Sequence, residues 1–148
     1  HSLSLSDSDS DSDSASDAHT ESAHTAAALL ATQYVVTEAE KLCDRIGAQL
    51  LLVLSFSEGN IAAALNQQPR FDQSFLAFLE GKPYPVIDTR DVFADMFAPY
   101  GGALGTKEFL RPYYIGHHSP LGNFVTALAL KDAVVALLEP KPVPYSKL

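Results

Sequence analysis

The sequence holds a single cysteine, Cys43, among 148 residues. That excludes an internal disulfide and every zinc framework built on several cysteines. Bases are absent from the start of the chain, and the first is Lys41. The opening Ser and Asp residues lack the basic stretch and apolar core of a secretory leader. With 10 bases against 18 acids the net charge is -8, and Asp7, Asp9, Asp11, Asp13, Asp17 and Glu21 supply most of the excess. Without those six, 12 acids face 10 bases and the body stands near -2. Neither part presents the basic footprint of a nucleic-acid binder, so no nucleic acid is expected as a partner. Nor does an unbroken apolar run approach the roughly 18 residues that cross a bilayer, so no membrane span is expected. A chain opening at His1 rather than Met is expected to be processed or truncated from a longer one.

What remains is a globular balance, 47% hydrophobic and 19% charged, over the length of one domain. The composition divides it into an acidic Ser/Asp-rich tail over 1–25, a body over 26–140 and a Pro-rich end over 141–148. The tail has almost nothing to bury and reads as a hydrated, extended spacer. Ser4, Ser6, Ser8, Ser10 and Ser14 each have Asp three residues on, a context suited to acid-directed kinases. The alternating carboxylates suit weak Ca2+ collection but lack the Gly-shaped loop of a tight site. At the other end, Ser146-Lys147-Leu148 matches the receptor-read peroxisomal address, and the preceding prolines present it on an extended lead.

The body alternates helical and strand patterns. Leu29, Leu30, Val35, Leu42, Cys43 and Ile46 sit near helical spacing over 25–46, and Gly47 supplies a left-handed stop. Residues 49–56 (QLLLVLSF) form a short apolar run suited to a strand buried on both faces of a parallel sheet. Two short helices over 60–67 and 72–80 follow, divided by Pro69. A second strand over 84–88 ends in Asp88 and leads into a helix over 89–98, then a Gly-rich loop over 99–105. Ser119 and Pro120 open the last helix as cap and first helical residue. Helices alternating with apolar strands predict a parallel sheet covered by helices. Two strands are few for such a sheet, so a part of it is expected to lie elsewhere.

These blocks, and above all His117-His118-Ser119-Pro120-Leu121-Gly122-Asn123 entering the last helix, resemble the C-terminal portion of an SGNH-type (GDSL-like) hydrolase. The resemblance covers about three quarters of the chain and is motif-specific only in that short segment. It implies an α/β fold, a flavodoxin-like three-layer α/β/α sandwich with a parallel sheet, present in part. The activity implied is ester hydrolysis or acyl transfer on a small ester or acylated carbohydrate, with no cofactor. Gly122-Asn123 aligns the family's catalytic base with His117. The family's Gly-Asp-Ser nucleophile block and its oxyanion-hole blocks are not recognisable, and Tyr114 stands where an Asp would orient the base. The matching alternative is a non-catalytic SGNH-like module serving interaction or assembly, completed by self-association or a companion segment.

Each candidate also has a plainer role. His117 is either a base or a histidine packing near the last helix. Asp88, at the carboxyl end of a strand, is either the acid partner of a site or the cap of the helix after it. Ser57 and Asn60 follow the other strand at the same edge, where they either contact substrate or serve the turn at Gly59. Adjacent histidines point apart, so His117 and His118 are not expected to share a metal. Cys43 reads as a small core residue.

Overall fold

The structure is a computed structural model that describes residues 11–138. The start of the Ser/Asp tract and the Pro-rich end with Ser146-Lys147-Leu148 lie outside the described residues. Helix α1 spans Asp11–Ile46 and so takes in residues 11–25, which composition alone assigned to an extended tail. No Pro or Gly interrupts those 36 residues, and the alanine-rich run 26–28 lets a helix propagate once nucleated. Its stop is the expected one. Gly47 adopts φ +67°, and the Ala48 N–H donates to the Cys43 carbonyl at 2.9 Å, closing a Schellman-type end.

The chain divides into two compact units. The first combines α1 up to Leu42 with Phe71–Glu80, which contains α3 (Gln73–Leu79). Val36, Phe75 and Leu79 are buried there, and the Phe75 and Phe78 rings stack with centroids 5.9 Å apart. Leu30, Tyr34 and Val35 stand exposed.

The second unit comprises Cys43–Arg70 and the chain from Gly81 onward. Its sheet has two parallel strands, β1 (Leu52–Leu54) and β2 (Val86–Asp88), in the register Leu52↔Val86, Val53↔Ile87 and Leu54↔Asp88. Both strands are half-buried, so the QLLLVLSF run does not lie fully between helix layers as its composition predicts. β1 is short because its partner is short: Pro85 contributes only a carbonyl, which accepts from the Leu52 N–H at 3.0 Å. Around the sheet lie α2 (Glu58–Leu65), α4 (Thr89–Phe97), α5 (Thr106–Leu110) and α6 (Pro120–Leu138). Described residues are mostly helical, and the fold is α/β with a small parallel sheet.

Two predicted caps hold this unit in place. Asp88 Oδ1 accepts the Arg90 N–H at 2.8 Å, while Oδ2 pairs with Arg70 at 2.7 Å. Ser119 Oγ accepts the Gly122 N–H at 3.1 Å and donates to the Pro112 carbonyl at 2.6 Å. α2 packs on α4 and α5, and α4 meets α6. Between them Ile61, Phe93, Phe109, Leu110, Tyr114 and Val125 form the buried core. Phe93 anchors it through ring contacts to Tyr113 at 5.3 Å and Tyr114 at 5.8 Å. Among the described residues, α6 has the length and composition to cross a membrane, with mean hydropathy 1.6. Gly122 and Val125 on its first turns are buried, and Lys131 and Asp132 interrupt its apolar character.

Candidate functional site

β1 ends at Leu54, and the chain turns through Ser55, Phe56 and Ser57 into α2. Ser57 is the N-cap, its Oγ accepting the Asn60 N–H at a long 3.4 Å. On the other side, α5 is followed by a tight excursion from Tyr113 to Ser119 that delivers both histidines to α6. This excursion is built on backbone pairing: Tyr114 and His118 form an antiparallel bridge, and the Ser119 N–H donates to the Tyr113 carbonyl at 2.8 Å. Gly116, at φ +85°, makes the reversal between them. Gly122 lies so close beneath that a Cβ there would run into the Tyr113 carbonyl oxygen. The Gly of the sequence motif is therefore a close-approach residue that seats the histidine loop on the first turn of α6.

The two loops enclose an open cleft of about 330 Å³, lined by Ser55, Phe56, Ser57, Tyr114, Gly116, His117, His118 and Asn123. Of the residues singled out in the sequence, His117 and Ser57 come together here. Asn60 reaches the site only through its backbone N–H on Ser57. Asp88 lies elsewhere, in a separate, more apolar recess with Met96, Phe124 and Leu128. Its carboxylate is engaged in the α4 cap and the Arg70 ion pair.

The adjacent histidines are held in opposite ways. His117 is exposed, and its Nδ1 lies 2.9 Å from the His118 carbonyl oxygen. A carbonyl only accepts, so Nδ1 carries a proton, and in the neutral ring the lone pair is then on Nε2. His118 is half-buried, with Nε2 3.0 Å from the Tyr114 hydroxyl. That hydroxyl donates its one proton to the Phe56 carbonyl at 3.2 Å, so His118 Nε2–H is the donor to Tyr114. The Nε2 of His117 makes no hydrogen bond among the described residues, whereas His118 spends the equivalent nitrogen on an internal hydrogen bond. Burial, followed by the charge of Glu58, pushes the Tyr114 phenol up to about 12. The hydroxyl therefore keeps its proton throughout the neutral range.

Sequence reasoning assigned Tyr114 only as the place of a lost acid and left Ser55 and Asn123 without a role at a site. What brings them in is tertiary: Tyr114 bonds the Phe56 carbonyl after β1 and is itself bonded by His118, and Ser55 and Asn123 line the resulting cleft. Among the described residues no group of three His, Cys, Asp or Glu is arranged to hold a metal ion. No family model, curated protein or solved structure matches the chain.

Proposed function

We propose that the body of this chain is the base-bearing portion of an SGNH-like three-layer α/β/α domain that hydrolyses a small ester or transfers its acyl group. The observation that carries this reading is the state of His117. Its Nδ1–H is fixed on a backbone carbonyl and its Nε2 is basic, in a residue lining a polar cleft beyond the carboxyl end of a parallel strand. Open α/β sheets place ligands at that edge.

The roles follow from this geometry. His117 Nε2 takes the proton of an attacking serine hydroxyl as the C–O bond to the acyl carbon forms, then returns it to the leaving alkoxide. The nucleophile is supplied by a companion segment that also completes the sheet. Ser57 and its neighbour Ser55 offer hydroxyls to a polar substrate such as an acylated sugar. Asp88, committed to its cap and to Arg70, supports the fold of the sheet edge.

A second reading has its own support. Tyr114 stands where the orienting acid would be, and a carbonyl carries less negative charge than a carboxylate to stabilise an imidazolium. A non-catalytic SGNH-like interaction module would tolerate that exchange. One experiment separates the two. The full natural gene product is assayed on a simple activated ester, beside His117→Ala and His118→Ala variants that keep the wild-type circular dichroism. The hydrolase reading expects His117→Ala to lower kcat by about 10²- to 10⁴-fold, the usual worth of a general base. Wild-type turnover no higher than that of His117→Ala would establish the non-catalytic reading instead.

A further inference from the structure

The structure assigns to Tyr114 the positioning task that an acid performs elsewhere, exercised through His118 rather than by contact with His117. This deepens the hydrolase reading and rests on it only for its consequence in turnover. Tyr114 sits three residues before the base and is buried against Phe93. It makes no bond to His117, whose Nδ1 is already held by the His118 carbonyl at 2.9 Å. Its hydroxyl is a two-way junction, donating to the Phe56 carbonyl at 3.2 Å and accepting from His118 Nε2 at 3.0 Å.

His118 is thereby fixed twice. Its ring is hydrogen-bonded to Tyr114 and stands edge-on to the tyrosine ring at 4.8 Å, and its backbone is bridged to the same residue. A peptide unit pinned on both sides presents its carbonyl in one direction, and that carbonyl selects the proton position on His117. Orientation thus passes from the loop after β1, through the phenol and the His118 backbone, to the base. The two histidines consequently hold opposite tautomers: Nδ1–H at His117 and Nε2–H at His118. The neutral histidine side chain in water favours Nε2–H, so the His117 form is imposed by its surroundings.

The tautomers are read from two-bond nitrogen–proton correlations of the imidazole rings in the ¹⁵N-labelled full chain at a pH where both rings are neutral. The wild type is expected to show Nδ1–H at His117 and Nε2–H at His118. In Tyr114→Phe, which keeps the core ring and removes only the hydroxyl, His117 should revert to the Nε2–H form. Should that variant fold poorly, two further variants carry the test. His118→Ala should release His117 in the same way, whereas His118→Gln, whose amide still donates to the phenol, should retain its Nδ1–H form. A wild-type His117 in the Nε2–H form overturns the assignment. So does an Nδ1–H form that survives in either Tyr114→Phe or His118→Ala.

In the ester assay, Tyr114→Phe should lose kcat on the order of 10²-fold with KM unchanged, as expected for a misoriented base. An inactive wild type that shows the expected tautomers and their response to the variants would remove the hydrolase reading and leave the positioning role standing. An active wild type with unresponsive tautomers would do the reverse.

Discussion

Gly122 is where a single added methyl group meets the least room, because the obstacle is the Tyr113 backbone carbonyl rather than a side chain that can rotate away. Gly122→Ala should therefore destabilise the protein by about 1–3 kcal/mol in urea unfolding, the usual cost of overpacking. Gly59→Ala is the contrasting case. This glycine is the second residue of α2, and the nearest atom to its Cβ would be Ser57 Oγ at 4.0 Å. Alanine there should be tolerated or stabilise by a few tenths of a kcal/mol, since the full propensity gain of about 0.5–1 kcal/mol belongs to helix interiors. Equal effects of the two substitutions would contradict the close approach described for the histidine loop. Tyr114 makes a prediction in pH. Its folded pKa of about 12 lies above the ordinary value of 10.0. The folded state therefore holds the proton more tightly, and stability is intact below pH 10 and lost as pH rises toward 12. The loss is on the order of 2 kcal/mol for a displacement of this size. Melting temperatures between pH 9 and 12 should fall less steeply in Tyr114→Phe than in the wild type, and parallel curves would exclude the tyrosine as the cause.

At the scale of elements, the junction of β2 and α4 depends on Asp88, which serves both as cap and as ion-pair partner. Asp88→Asn preserves an oxygen for the Arg90 N–H and removes the charge facing Arg70. Asp88→Ala removes both interactions and leaves Arg70, only 19% exposed, without this carboxylate. Chemical denaturation should show a loss of about 2–3 kcal/mol for Ala, of which the cap accounts for about 1, and a smaller loss for Asn. An alanine variant no weaker than the asparagine variant would deny the cap its role. Such junctions were legible in the sequence because their chemistry is local. Ser119 before Pro120, Asp88 before Thr89 and Gly47 after Ile46 each lie within a few residues of the groups they satisfy. The helix α5 was not foreseen: its five residues, Thr106–Leu110, are too few to show a period, and they follow a Gly-rich loop. β1 was read longer than it is because apolar composition marks what can pair, whereas its length is set by a partner of three residues. Ser57's place at the cleft follows from its position after β1, but its meeting with His117, on the loop between α5 and α6, is tertiary, and Asp88 at the end of β2 lines a different recess. Tyr114's part was illegible, since nothing in a tyrosine's spacing announces a carbonyl 58 residues earlier as its acceptor.

For the whole molecule, the two-stranded sheet leaves one edge of each strand without a strand neighbour among the described residues. α6 adds exposed Phe124, Leu128, Val134, Val135 and Leu138. Open edges beside apolar surface favour association. Sedimentation velocity of the isolated chain should show a mean mass rising with concentration, and Leu128→Lys should reduce the effect. A compact monomer at every concentration would rule out the companion-segment arrangement. The connectivity of the cleft also bears on when it comes into being. The Leu54 carbonyl accepts from Thr89 across 35 positions, and the Phe56 carbonyl accepts from Tyr114 across 58. Closing loops of that length costs entropy before any contact rewards it, so these bonds form late. During synthesis, the loop after β1 emerges long before the tyrosine that fixes it, and Asn123 must follow before the cleft has its second wall. A nascent or partly folded chain thus has no assembled histidine site, and occupancy of the cleft would report that folding has reached completion.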